Sequence, residues 1–460
     1  MHKRGLLYRQ CTTVYRFGGE CNVREVDRLE RFPAFDTGAR GCAPCRYAHG
    51  IRLYAFVRAA TSMPDKFGES AHVDFAFTDD QQNIRDAVLK ACAPFPDDYW
   101  LARDREGQFP QDFYRSMADA GWLGIASPES CGGSGLGITE AAIMMQAVAE
   151  SGGGMSGASS IHGPVVSMEP IRLFGTAEQL QRMIPPIVSG AQKMCFAVTE
   201  PNTGLDTTKL KTRAVRCDGG YLVTGEKIWI TNAHVADKIM LLVRTTPLDQ
   251  VERKTQGLSL FFTTLDRSKI EHQLIPKMGR HAVGSTMLFI NDLFVPEEDR
   301  IGAEGDGFKI ILHGLNPERV LLAAEAVGLG RAAIRRAATY AKERIVFDRP
   351  IGMNQGIQHP LAKCWAQLEA ANLMTMKAAT LFDKGEECGI EANAAKYLAG
   401  EFGFEACHTA MLTLGGMGYA QEYHVERYLR ESLIPRTAPV SPHMILNFLA
   451  EKVLGLPKSY

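Results

Sequence analysis

The stretch Cys195-Phe196-Ala197-Val198-Thr199-Glu200-Pro201-Asn202-Thr203-Gly204-Leu205-Asp206 decides how the chain divides. It reads as a strand ending in a Pro/Asn/Gly turn that exposes backbone N–H groups and hydroxyls. Such a nest holds a phosphate or the polar edge of a ring, although alone it reads first as a plain β-turn. Downstream, residues 221–224 (Tyr-Leu-Val-Thr) and 227–230 (Lys-Ile-Trp-Ile) read as two strands meeting at a turn on Gly225-Glu226. Residues 239–243, 258–262 and 287–290 are further short apolar runs. Strands at this spacing, with no helices between them, argue for an antiparallel barrel or sandwich.

On either side of this β block the texture is helical. Thr78 before Asp79-Asp80 reads as an N-cap with first-turn acids. Phe113, Met117 and Trp122 follow at near-helical spacing, and helices are predicted over 141–149 and about 179–188. After Gly305-Asp306-Gly307 the pattern is helical again, over 320–340, 378–382, 394–398 and 444–453. The predicted divisions are an atypical or disordered extension at 1–74, a helical domain at 75–193, a β-barrel at 194–302 and a helical bundle at 303–460.

Composition narrows the function. The 460 residues are 45% hydrophobic and 22% charged, and Lys+Arg 51 against Asp+Glu 52 gives a net charge of -1. A neutral balance argues against general attraction to nucleic acid or anionic membrane. No run approaches the roughly 18 apolar residues that span a bilayer. Eleven scattered cysteines suit a reducing compartment, so a cytoplasmic protein is expected, with the mitochondrial matrix as the alternative. Residues 1–60 hold eleven Lys/Arg against five Asp/Glu, but early acids such as Glu20 and Glu25 do not suit a targeting segment, and Met63 reads as a plausible start. The lone Cys42/Cys45 pair is a weak metal signal, and no histidine spacing supports a metal site. Gly328-Leu329-Gly330 lies inside a helical pattern, which removes a Rossmann reading.

Three more local signals accompany the Cys195–Asp206 turn. Trp229-Ile230-Thr231-Asn232 sets an indole at a strand end before a hydroxyl, where a core tryptophan is the ordinary reading. Arg344-Ile345-Val346-Phe347, followed by Asn354-Gln355, places an arginine at a helix end, where a surface ion pair is ordinary. Leu414-Gly415-Gly416-Met417-Gly418-Tyr419 is a glycine-rich helix end, where a simple C-cap is ordinary. Together, and in this block order, they resemble the acyl-CoA dehydrogenase family of flavoenzymes over residues about 77–457. Lys277-Met278-Gly279 and Val295-Pro296 add to the resemblance.

The resemblance implies an α+β multidomain fold: an N-terminal helical domain, a middle antiparallel β-barrel and a C-terminal four-helix bundle. It implies FAD, an acyl-CoA substrate oxidised to a trans-2-enoyl-CoA, an electron-transferring flavoprotein as acceptor, and a homotetramer or homodimer, with no metal. On matching positions Phe196, Val198 and Thr199 would line the flavin, and Gly204 and Leu205 would lie near the pyrophosphate. Trp229, Ile230 and Thr231 would cover the ring. Arg344, Phe347, Gln355, Gly415 and Gly416 would reach the cofactor of a neighbouring subunit, and Ser441 is a further cofactor candidate. The family usually has Ser where Leu205 stands and Gln where Leu412 stands, so each replacement removes a polar contact. An oxidase or enoyl-CoA reductase on the same scaffold, or a non-catalytic flavin- or CoA-binding protein, remains an alternative.

Oxidising a thioester at Cα–Cβ needs a carboxylate to take the α-proton. Most family members carry it in a Tyr-Glu-Gly-Thr-Ser segment, and the corresponding stretch here, Ala438-Pro439-Val440-Ser441-Pro442, has Pro439 at the Glu position. A minority of members, including the isovaleryl- and long-chain-specific ones, carry the base on a bundle helix, which matches Asn316-Pro317-Glu318-Arg319. Glu318 is therefore the expected base, with Asn316, Arg319 and Leu205 toward the substrate. Locally Asn316 reads as an N-cap, Pro317 as N1 and Glu318 as N2, where the helix dipole would favour a glutamate for stability alone and weaken it as a base.

Overall fold

The computed structural model describes residues 75–459, and the Cys42/Cys45 pair, Met63 and the 1–74 extension lie outside that range. Among the described residues, helices come first: α1 (Asp79–Cys92), α2 (Asp97–Glu106), α3 (Gln111–Asp119), α4 (Ile138–Val148), α5 (Gly154–Val166), α6 (Glu169–Phe174), α7 (Ala177–Met183) and α8 (Pro185–Val188). Thr78 does cap α1, in a reciprocal capping box with Gln81. The helix predicted near 179–188 is two helices, broken where Pro185 opens α8.

The β block holds β1 (Met194–Ala197), β2 (Arg213–Cys217), β3 (Gly220–Thr231), β4 (Lys238–Arg244), β5 (Leu258–Thr264), β6 (Ile270–Leu274), β7 (Ser285–Pro296) and β8 (Arg300–Ile301). They form one sheet in the order β6-β7-β3-β2-β4-β5-β8, with β1 paired to β4. Most pairs are antiparallel, but β1–β4 and the short β2–β4 contact are parallel. The expected turn at Gly225-Glu226 is absent, since β3 runs straight through it. The hairpin closes instead before Gly220, which pairs with Cys217. Gly225 marks a register shift against β7, and a Cβ there would lie 2.5 Å from Thr212 Oγ1, so glycine serves close packing at a bulge.

The helical C-terminal part begins with α9 (Gly307–Glu343). A two-stranded ribbon, β9 (Ile345–Val346) and β10 (Arg349–Pro350), then leads to α10 (Gln355–Asp383) and α11 (Gly389–Leu414). Short helices α12 (Val425–Glu431), α13 (Ile434–Thr437) and α14 (Pro442–Lys452) close the chain. The start of α9 corrects the sequence reading: Asp306 is the N-cap, and Asn316, Pro317 and Glu318 lie inside the helix. Burial of Ile310 and Ile311 with the apolar side chains of β5, and the seat of Gly307 on Ser259 and Leu260, pull the helix ten residues upstream. Glu318 is thus beyond the first turn, where the dipole argument no longer applies.

Helix α9 is the common wall of the fold. Val320 and Leu321 join the core of the N-terminal helices, while Leu329 and Ala333 join the bundle core. At Gly328 a Cβ would lie 2.3 Å from the Gln146 carbonyl, so α9 and α4 touch backbone to backbone there. Between α4 and α5 the chain makes a π-type turn over Ala149–Gly153, with Gly152 at φ 114°. Fully buried Arg427 reads this turn through the carbonyls of Gly152 (2.6 Å) and Gly153 (3.5 Å). Buried Glu431 pairs with Arg427 at 3.4 Å and accepts from Ser156 Oγ at 2.6 Å and Ser156 N–H at 3.2 Å. Substituting Arg427→Met strips a buried carboxylate of its cation and two carbonyls of their donor, and should cost about 3–5 kcal/mol. A denaturant melt within 1 kcal/mol of the parent would contradict this.

Candidate active site

The β side of the site hangs on one buried lysine. Lys227 Nζ donates to the carbonyls of Val198 (2.9 Å) and Leu242 (2.7 Å) and to Glu200 Oε1 (3.1 Å). Glu200 also accepts the N–H groups of Lys211 and Thr212, at 2.7 and 2.9 Å. Burial pushes the lysine down to about 8, with Glu200 opposing. For Glu200 burial acts upward, but Lys227 and the Lys211 and Thr212 donors outweigh it and hold the carboxyl below its usual range. This network fixes the turn after β1 that carries Val198 and Thr199. Thr199 O then accepts Ile228 N–H at 2.9 Å, tying the turn to the end of β3.

Between Lys227 and Ile230 the β3–β7 register slips by one residue, and Trp229 takes φ 61°. The bulge sends the indole outward, 55% exposed, while Ile230 packs into the β core. The Ile230 side chain is therefore unavailable to a cofactor, and its carbonyl already accepts Thr286 Oγ1 at 2.9 Å. Phe196 and Val198 are half-buried against the neighbouring core, and Gly204 and Leu205 are exposed.

The helical side meets this edge through Arg280 and Asn232. Arg280 donates to Ser159 Oγ on α5 (3.0 Å) and, at 3.5 Å, to Thr231 Oγ1. Asn232 Nδ2 donates to Ser159 O at 3.4 Å. Asn232 Oδ1 and Arg280 Nε are enclosed without a hydrogen-bond partner. One turn along α5 from Ser159, His162 Nδ1 lies 2.6 Å from Oε1 of Glu325, a carboxylate with a fully buried side chain. Glu318, seven residues before Glu325 on α9, is half-buried beside them. Burial raises the Glu318 carboxyl, and Glu325 adds to it, against the pull of His162 and Arg319. His162 is lowered by burial but raised overall by Glu325 and Glu318. Arg319 donates to Asn316 Oδ1 at 2.9 Å, one turn away on the same helix.

The remaining expected residues stand apart. Arg344 caps the end of α9 with its side chain exposed. Phe347, 93% exposed at φ 50°, sits at the tip of the β9–β10 ribbon, a strained place for an aromatic residue. Gln355 opens α10, and Gly415 ends α11 at φ 60° beside exposed Gly416. Among the described residues no hydrogen bond, ion pair or ring contact joins this group to the Trp229 edge. Ser441 spends its hydroxyl on capping α14, accepting Met444 N–H at 3.4 Å. Next to Pro439, the Val440 carbonyl takes a 2.6 Å bond from buried Lys396. Sequence reading passed over Ser159, His162, Arg280 and Glu325. Glu325 had a signal, a lone acid in the apolar run Leu321-Leu322-Ala323-Ala324-Glu325-Ala326-Val327, in phase with Glu318 on a helix.

Comparison with known proteins decides the family. The acyl-CoA dehydrogenase N-terminal, middle and C-terminal domain families match residues 78–191, 195–293 and 305–451. The chain belongs to the acyl-CoA dehydrogenase family. Acyl-CoA dehydrogenase FadE12 of Mycobacterium tuberculosis is 35% identical over 395 residues, covering 84% of this chain and 99% of that relative. The structure of butyryl-CoA dehydrogenase from Megasphaera elsdenii superposes with a TM-score of 0.79 at 28% identity, covering 83% of this chain and all of the other. PigA with FAD and proline gives 0.79 at 25% identity, covering 83% and 99%. The protein is accordingly a flavoprotein oxidoreductase acting on acyl-CoA, with FAD as cofactor, built as helical, β and helical parts. The orphaned polar atoms of Asn232 and Arg280 beside Thr231, and the outward indole of Trp229, fit a flat ring with a polar edge. Among the described residues no helix is long and apolar enough to cross a membrane.

The raised Glu318 carboxyl makes a stability prediction. A carboxyl whose folded pKa lies above its unfolded value favours the fold while protonated and loses that contribution as pH rises through the folded pKa. Glu318→Gln should therefore melt above the parent at pH 8, and the gap should close near pH 4. Equal melting temperatures at both pH values would contradict the burial of this charge.

Proposed function

We propose that Glu318 is the base that removes the α-proton from a bound acyl-CoA, giving a trans-2-enoyl-CoA. One observation carries the reading: the half-buried Glu318 carboxyl belongs to a charge cluster that runs through His162, Ser159 and Arg280 to Thr231. Its pKa is raised by burial, which suits a base that must release its proton again near neutral pH. Pro439 has no group that accepts a proton.

FAD, when bound, supplies the acceptor for the hydride that leaves the substrate Cβ. Phe196, Val198 and Thr199 would hold one side of the ring, and Trp229 and Thr231 would cover it and bond its polar edge. Gly204 and Leu205 would lie by the pyrophosphate. Arg344, Phe347, Gln355, Gly415 and Gly416 would act on the cofactor of a second subunit in a homotetramer, which agrees with their exposure in the single chain. Asn316 and Arg319 would face the thioester arm. Electrons would leave to an electron-transferring flavoprotein.

In Glu318→Gln the flavin spectrum should remain, while bleaching by a panel of straight and branched acyl-CoAs should slow by about 10³-fold. Undiminished bleaching would remove Glu318 from the role. Trp229→Ala should lower FAD occupancy, read as the ratio of flavin to protein absorbance, and full occupancy would refute the covering role of the indole.

A further inference from the structure

Two carboxylates on one face of α9, Glu318 and Glu325, meet α5 where water is scarce. Isolated buried carboxylates are costly and persist only when paired. The groups that meet them come from three elements. His162 faces both from α5, Arg280 faces His162 and Glu325 from the segment between β6 and β7, and Arg319 faces Glu318 from its own helix. Arg280 is shared with Glu431 of α12. Glu325 bonds His162 at 2.6 Å through Oε1, while its Oε2 has no partner. The 2.6 Å contact places a buried carboxylate oxygen against Nδ1, where it raises the hold of the His162 ring on its proton.

We propose that His162, held by Glu325, is a positioning residue whose positive charge keeps Glu318 ionised and ready to accept the substrate proton. This rests on Glu318 being the base. Burial alone drives Glu318 toward its protonated, useless form, and the acyl chain would deepen that burial. Arg319 opposes it in part but is turned to Asn316. The imidazolium supplies a second counter-charge from the facing helix, and Glu325 is what keeps the imidazole charged in so dry a place. The pair touches no reacting atom and acts through Glu318.

The test is His162→Gln, whose amide still donates to Glu325 but carries no charge. With FAD content close to the parent, and a lower melting temperature because buried Glu325 loses its counter-charge, the acid limb of acyl-CoA-driven flavin bleaching should move up by about one pH unit, a roughly ten-fold slower rate on that limb. An unmoved limb overturns the proposal. A second readout needs neither this variant nor turnover: in substrate-free, FAD-loaded protein the His162 ring is titrated by NMR with labelled histidine. Interaction between two charges is reciprocal, so Glu318→Gln should lower the His162 pKa by a similar amount, and an unchanged value overturns the proposal. If Glu318→Gln still bleaches, the assignment of the base has failed. If it does not bleach while both His162 readouts stay still, only the role of His162 has failed.

Discussion

The contact between α9 and the α4–α5 pair constrains everything else in the site. At Gly328 α9 touches α4 backbone to backbone, and on the neighbouring face α9 sets carboxylates toward His162 of α5. These are Glu318 and Glu325, and Glu325 is entirely buried. Dry, close helix packing magnifies every charge placed in it, which is why a histidine and two arginines gather there. The same burial raises the proton affinity of Glu318. Packing and acid–base chemistry are one arrangement viewed at two scales.

That arrangement depends on how α5 is aimed. A straight continuation of α4 would set a different face of α5 against α9. The π-type turn over Ala149–Gly153 rotates the chain, and Gly152, at φ 114°, costs conformational entropy that must be offset by contacts. Arg427 and Glu431 supply them from α12, gripping the Gly152 and Gly153 carbonyls on one side and Ser156 on the other. Ser156, Ser159 and His162 follow at intervals of three on the same helix. The anchor, the link to Arg280 and the counter-charge are therefore successive neighbours along α5, each one turn from the last.

Much of this was legible in the sequence because it is local. The strand runs, the cap at Thr78, the helix end at Gly415 and the outlying Trp229-Ile230-Thr231 triplet carry their signals within a few residues. The family resemblance added the cofactor and pointed to Glu318. Two readings went wrong for a shared reason. Gly225 looked like a turn and Asn316-Pro317 looked like a helix start, both sound on local chemistry. In the fold Gly225 is needed because Thr212 lies against it, and α9 starts early because Ile310 and Ile311 are buried beside β5. Tertiary packing overrode the local preference in each case. The His162–Glu325 pair was beyond a linear reading, since 163 residues separate partners that only the α5–α9 contact brings together.

The electrostatics of the loop at Pro439 bear on the proposed place of the base on a helix. Lys396 on α11 donates to Val440 O, and burial lowers this lysine to about 8, with Arg319 adding to the fall and Glu401 opposing it. A carboxylate placed at 439 would stand one residue from the carbonyl that Lys396 holds. Opposite charge at short range lowers a carboxyl pKa by one to three units, which makes a poorer proton acceptor. At 318 the balance is different: Arg319 is partly spent on Asn316, burial works upward, and His162 restores charge without cancelling that rise. The net direction at Glu318 remains upward. The place of Glu318 inside α9 also means that its reach does not depend on loop order.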